Sequence, residues 1–131
     1  MQRGYRGVAG APVKPYVEFS IYQGSTCYLN LKFLDSKKNP ATPAAVTYRI
    51  DELTTDNLVL SDTYATVTGS TLQITIPGSL NTINCNVGQS SQINQVTVTA
   101  LFADGSTTQT VHVYEVIAIQ TVGGGTSPIL G

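Results

Sequence analysis

Between Gln95 and Ile119 the chain alternates apolar and polar residues on both sides of a single Asp104-Gly105 step. Val96, Val98, Ala100 and Phe102 are separated by Thr97, Thr99 and Leu101, and the segment from Thr107 to Val113 then returns with Val111 and Val113 in one phase. Period-two alternation puts successive side chains on opposite faces of a strand. Asp-Gly between two such runs is a strong hairpin signal, because glycine accepts the positive φ that the turn requires. The stretch therefore predicts a long antiparallel hairpin. A lone hairpin is marginal in water, so other strands must cover its apolar face.

The rest of the chain supplies them. Val17, Phe19 and Ile21 alternate with Glu18 and Ser20, and Gln23-Gly24-Ser25 makes a turn. Leu29, Leu31 and Phe33 alternate with Asn30 and Lys32. The loop from Asp35 to Pro43 holds two prolines, which exclude both helix and central strand. Val46, Tyr48 and Ile50 form the next run, followed by a turn at 54–57 and a short return strand opened by Leu58 and Leu60, which Thr63 to Thr68 can extend. Gly69-Ser70 turns the chain into Leu72, Ile74 and Ile76, and Pro77-Gly78 ends that strand. Gly78 to Ile93 is the longest unpatterned connection. It reads as a crossover with a helical turn near Ser79–Thr82, and its length also makes it a contact candidate.

About seven short strands with regular turn signals predict an all-β, Ig-like β-sandwich, with an eight-stranded jelly roll as the alternative. Each sheet should have one wet and one dry face. Residues 14–120 form the predicted sandwich. Residues 1–13 form an N-terminal arm with glycines at 4, 7 and 10, and residues 121–131 a C-terminal arm with three consecutive glycines before Thr126-Ser127-Pro128-Ile129-Leu130.

Charged residues are 11% of the chain, against about 25% in an ordinary domain. Thr, Ser, Asn and Gln fill the polar quota. A neutral surface rich in hydroxyls and amides suits contact with protein or glycan, and argues against nucleic acid, which demands a dense basic field. The few charges are segregated. All seven cations, Arg3, Arg6, Lys14, Lys32, Lys37, Lys38 and Arg49, fall in residues 1–49 beside only Glu18 and Asp35, and six acids with no cation follow. A basic N-terminal arm docking on an acidic partner is one reading, and compositional drift is the other. No signal-peptide pattern, transmembrane run or glycosylation sequon stands out, so synthesis in the cytoplasm is expected. In that compartment Cys27 and Cys85 are expected as free thiols rather than one disulfide.

The sequence carries no catalytic signature. His112, the single histidine, lies between Val111 and Val113 and should face away from them, toward solvent, with no Ser or Cys motif beside it. Asp51, Glu52, Asp56 and Asp62 are clustered and offer calcium-type oxygens, but Asp51 and Glu52 should point to opposite faces and the loop lacks calcium-loop spacing. No enzyme activity, cofactor or metal is expected.

The runs Val46-Thr47-Tyr48-Arg49-Ile50-Asp51-Glu52-Leu53-Thr54-Thr55, Val59-Leu60, Leu72-Gln73-Ile74-Thr75-Ile76-Pro77 and Val96-Thr97-Val98-Thr99-Ala100 together resemble small Ig-like virion structural proteins of tailed bacteriophages. The resemblance spans roughly residues 26 to 117. It implies a structural role in the virion and no catalytic residues. The leading expectation is a capsid cement or decoration protein, made in the host cytoplasm, bound to viral capsid or other virion proteins and oligomeric, with no nucleic-acid or membrane partner. Arg3, Arg6 and Lys14 would meet acidic surfaces, and Tyr5, Ile129 and Leu130 would fill pockets. Alternatives are a neck or tail component, or a glycan- or receptor-binding module; the expected scarcity of exposed aromatics counts against the last.

Overall fold

The computed structural model describes residues 16–83 and 90–119. Among them seven strands form two sheets: β1 (Phe19–Tyr22), β2 (Cys27–Lys32), β3 (Ala45–Glu52), β4 (Asn57–Ala65), β5 (Thr71–Ile76), β6 (Ser91–Leu101) and β7 (Thr107–Ile117), with a short 3₁₀ turn at Gly78–Leu80. One sheet has the order β1-β7-β6-β3-β4 and the other pairs β2 with β5. β1 runs parallel to β7, and every other pairing is antiparallel. This is an all-β sandwich of seven strands among the described residues, with each sheet turning one face inward.

The hairpin forms as the alternation requires. Leu101 pairs with Thr107, the Phe102 N–H donates to Ser106 O at 2.8 Å, and the Gly105 N–H donates to Phe102 O at 2.9 Å. Gly105 has φ +90°, so the glycine is used for the left-handed residue of a bulged turn. Asp104 accepts from the Ser106 N–H and hydroxyl, which holds its carboxyl below the ordinary carboxylate range.

The dry faces meet in one core. Val96, Val98 and Ala100 of β6 lie over Leu29, Leu31, Ile74 and Ile76 of the smaller sheet, flanked by Val46, Ile50, Tyr114 and Val116. Fully burying a side chain of the Val, Leu or Ile class is worth about 1.5–3 kcal/mol. Tyr114 also stacks on Phe19 with ring centroids 5.2 Å apart.

Three details depart from the sequence reading. β4 runs from Asn57 to Ala65, so the extension past Leu60 forms but ends at Ala65 rather than Thr68, with two register irregularities against β3. β6 begins at Ser91, four residues before Gln95, and the crossover is correspondingly shorter. The inner face of β7 is His112, Tyr114 and Val116, paired with Val96, Asn94 and Gln92. Val111 and Val113 share a face as expected, but it is the outer one, and Val111 is 51% exposed.

The crossover is seated by a close approach of backbone. A Cβ built on Gly78 would lie 2.1 Å from Gly24 O and 2.8 Å from Gly24 C. The Gly24 N–H donates to Asn81 O at 2.7 Å in the same junction. Gly78→Ala should therefore destabilise the fold by roughly 1–3 kcal/mol or more, as overpacking against fixed backbone does. Gly69→Ala, where nothing lies within 4 Å and φ is ordinary, should change stability by under about 0.5 kcal/mol. Urea denaturation of the two variants beside the parent checks the ranking; equal midpoints would refute the tight junction.

Candidate functional site

The residues singled out for partner binding, Arg3, Tyr5, Arg6, Lys14, Ile129 and Leu130, all lie outside the described residues. So does Cys85, whereas Cys27 is a free, buried thiol. The described sandwich offers three places where chemistry or recognition could reside: a buried polar cluster, a cleft holding His112, and the outer face of the larger sheet.

The buried cluster is built where β6 and β7 meet the crossover. The Tyr114 hydroxyl donates to Asn81 Oδ1 at 2.6 Å and accepts from Asn94 Nδ2 at 3.3 Å. Asn81 Nδ2 donates to Ser25 O at 2.8 Å and reaches Cys27 Sγ at 3.6 Å. Gln92 Nε2 donates to Thr82 O at 3.0 Å and to Asn94 Oδ1 at 3.2 Å. Asn81, Gln92 and Asn94 are fully buried. Burial pushes the Cys27 thiol up, with Asn81 only partly opposing it, so the nucleophilic thiolate is disfavoured. Burial likewise pushes the Tyr114 phenol well above its ordinary value. The groups are neutral, mutually satisfied and closed off, which is the arrangement of a structural tie. It clamps the crossover to both sheets. Gln92 and Asn94 continue the phase of Val96 and Val98 backwards, so alternation alone could have placed them inside.

Among the described residues Glu52 is the other buried polar side chain, 1% exposed. Its carboxylate accepts the Thr55 N–H at 3.0 Å and the Thr55 hydroxyl, and so folds the β3–β4 turn back on itself. Thr54 and Leu53 then bond to Ile93, at 3.1 Å through the Thr54 hydroxyl and 2.8 Å through the Leu53 N–H. Asp51 points the opposite way, as expected, and is held by Arg49 at 2.9 Å. Among the described residues no group of three or more His, Cys, Asp or Glu is disposed to hold a metal ion. Nor is any helix among them long and apolar enough to cross a membrane.

His112 does face away from Val111 and Val113, but the expectation that it points to solvent is corrected. It lies on the inner face opposite Val96, with a side chain 20% exposed, at the edge of a cleft between β2 and β7. Its Nδ1 is 3.3 Å from the Glu18 carboxylate and its Nε2 is 3.2 Å from Thr110 Oγ1. Both ring nitrogens are therefore engaged, Nδ1 with Glu18 at the entry to β1 and Nε2 with Thr110 on β7 itself. Neither a Ser nor a Cys stands in line with the ring as a nucleophile among the contacts it makes.

The outer face of the five-stranded sheet is the broadest uncommitted surface. Across it run Thr47, Thr99 and Gln109, then Arg49, Thr97 and Val111, then Asp51, Gln95 and Val113. The Arg49–Asp51 pair is internally neutralised, and Glu115 accepts from the Ser20 hydroxyl at 3.2 Å. Apolar groups stand among the amides and hydroxyls: Tyr64 is 79% exposed, Tyr22 62%, Leu58 55% and Ile119 47%. Tyr22, Ile117, Ala118 and Ile119 frame a shallow apolar depression at the β1–β7 edge. Tyr16 and Tyr28 are also exposed. Exposed aromatics are thus not scarce, contrary to expectation. Each of Tyr22, Tyr28 and Tyr64 lies in the outward phase of its strand, which is the signal that could have found it.

Tyr114→Phe should cost about 1–3 kcal/mol, because it leaves buried Asn81 and Asn94 atoms without their partner. Cys27 and Tyr114 both have raised folded values, so both stay protonated in the fold while the unfolded chain ionises. Stability should hold through neutral pH and fall as pH climbs past the ordinary thiol and phenol values, about 8.5 and 10. In Tyr114→Phe the upper part of that fall should shrink. Urea midpoints between pH 7 and pH 11 check both statements, and a pH-independent parent would refute them.

Neither the family models, nor the curated proteins, nor the solved structures contain a match to this chain.

Proposed function

We propose that this chain is a structural protein of a bacteriophage virion, with capsid cement or decoration as its leading role and a neck or tail position as the alternative within the same class. The observation that carries the reading is the outer face of the larger sheet. Among the described residues it is broad, sparsely charged, and set with exposed Tyr64, Tyr22, Leu58 and Val111 among threonines and glutamines. Interface patches are depleted of charge and enriched in tyrosine in this way. The polar groups in the interior support the same reading from the other side, because they are spent on holding the crossover rather than displayed in a cleft.

In this role the sandwich acts as a rigid spacer, and residues 1–13 and 121–131 engage neighbouring capsid subunits or copies of the protein. Arg3, Arg6 and Lys14 meet acidic surfaces, and Tyr5, Ile129 and Leu130 fill apolar pockets. Segments that order on binding lose conformational entropy, but they span several subunits. Repetition over a symmetric shell then multiplies weak contacts into avidity.

One observation favours a second reading, a glycan- or receptor-binding module. Tyr16, Tyr22, Tyr28 and Tyr64 are all more than half exposed, and sugar faces stack on aromatic rings. Tyr28 lies on β2 while Tyr22 and Tyr64 lie on the other sheet, so the three strand tyrosines do not form one platform. A glycan array that stays blank would dismiss this alternative.

Co-sedimentation with purified empty capsids tests the leading role. The full chain should bind and saturate, and a chain trimmed to residues 14–120 should bind at least about tenfold more weakly, since it loses the multivalent part of the contact. Equal binding by both would place recognition on the sandwich face alone. Binding by neither would overturn the virion reading.

A further inference from the structure

The unpaired cations of the described sandwich are gathered at one end. Among the described residues Arg49 is paired with Asp51, and the other Lys and Arg residues are Lys32, Lys37 and Lys38. None of these three stands in an ion pair there, where the pairs are Arg49–Asp51 and His112–Glu18. Residues 1–15, 84–89 and 120–131 contain no Asp or Glu, so no carboxylate side chain of the same molecule is left to meet them. Asp35 is close in sequence but committed to its own turn. Its carboxylate accepts from the Lys37 and Asn39 N–H groups at 2.8 and 2.9 Å.

Lys32 and Lys38 are exposed and line the cleft of ≈ 470 Å³ between β2 and β7, whose apolar walls include Phe33, Val98 and Ala100. The rim is firmly built. The Lys38 N–H donates to Asp35 O at 2.9 Å, the Ala41 N–H donates to Phe33 O at 3.0 Å, and Leu34 bridges Pro40. His112 adds no free donor, since both its ring nitrogens are engaged. Apolar walls under two unpaired lysines suit an acid carried between apolar groups.

The opposite end of the sandwich presents that chemistry. At the β3–β4 turn Asp56 is exposed and in no ion pair, between Leu53 and Leu58, which are 36% and 55% exposed. This turn is also preformed. Glu52 accepts the Thr55 N–H, Asn57 Nδ2 donates to Thr55 Oγ1 at 2.6 Å, and the Leu53 N–H donates to Ile93 O at 2.8 Å. Among the described residues two non-glycine residues have positive φ, Lys38 at +71° and Asp56 at +61°. Such conformations persist where the surroundings impose them, and they cluster at recognition sites. Here one sits on each surface, with opposite charge. Glu52 is level with Asn94 of β6, whereas the cleft reaches Ala100, six residues or ~20 Å farther along the same strand. One molecule cannot bring its own turn to its own cleft.

We propose that the β3–β4 turn of one copy docks in the β2–β7 cleft of a second copy, with Asp56 meeting Lys32 and Lys38 and a flanking leucine set against Phe33. Both surfaces are preformed, so little freedom is lost when they meet. The contact joins two different patches, so it is heterologous, and each added copy leaves one turn and one cleft free for the next. This inference assigns surfaces on the sandwich itself and does not rest on the virion reading.

Sedimentation velocity of the full chain tests it, with two variants changed only at exposed positions. The cleft variant carries Lys32→Glu and Lys38→Asn, asparagine being tolerant of the left-handed backbone. The turn variant carries Asp56→Asn and Leu58→Lys. The average mass of the parent should rise between about 10 μM and 1 mM, the range of small transient contacts. Its association should weaken at least about tenfold between low and 1 M salt, where the screening length falls to ~3 Å. Each variant alone should stay monomeric. Mixed in equal amounts they should form dimers and nothing larger, because the intact turn of one meets the intact cleft of the other. A parent that remains monomeric to 1 mM would overturn the proposal without recourse to any variant. Association of either variant alone would also overturn it, and so would a mixture that stays monomeric while both variants keep the parent's circular dichroism spectrum.

Discussion

Strand β6 is bonded along its length on both sides, to β7 through residues 91–101 and to β3 through residues 94–101. Its inner positions, Gln92, Asn94, Val96, Val98 and Ala100, are all at most 2% exposed. The rest of the molecule follows from that phase. A slip of one residue would turn the polar positions inward: Gln95, Thr97 and Thr99 would enter the core and the valines would face water. Because β3 and β7 take their register from β6, the orientation of Ile50, Glu52, Tyr114 and Val116 is set by the same choice. The smaller sheet then has one apolar surface to cover.

This phase is open to reading because valines alternate with threonines, and period two is a direct consequence of strand geometry. The same rule makes Leu29, Leu31, Ile74 and Ile76 legible as core and the Asp104-Gly105 turn legible as a hairpin. It fails where apolarity and burial part company. Gln92 and Asn94 keep the inward phase of Val96 and Val98 without being apolar, and what allows amides there is partners 10 and 20 residues away, which composition does not show. The phase of β7 is misleading for a related reason. Its first inner positions, Thr108, Thr110 and His112, face a cleft, so Val111 on the outer face becomes the visible apolar signal. The partner-binding residues named from the tails lie outside the described residues, and the surface that the fold does display, with Tyr22 and Tyr64, is legible only as the outward half of each alternation.

The interior polar groups act as a unit. Asn81, Asn94, Gln92 and Tyr114 are uncharged, and each has a partner of matching donor or acceptor character. A neutral network of this kind avoids the desolvation cost of buried ions while still demanding one geometry. It supplies specificity to a core whose aliphatic members would tolerate several packings. Asn81 carries the crossover to both the Ser25 turn and β7, so one side chain links the two sheets at that end.

The edges of the larger sheet have a consequence for how copies or partners can meet this molecule. At one border stands β1, only four residues long; at the other stands β4, whose pairing with β3 is interrupted by register irregularities. Short and bulged borders are poor templates for a further strand. Among the described residues, the larger sheet thus offers broader contact on its face than along its borders. A partner of this sheet would meet side chains on its face rather than main chain along its border, and would be selected by shape and by the spacing of the exposed tyrosines instead of by a ladder of hydrogen bonds.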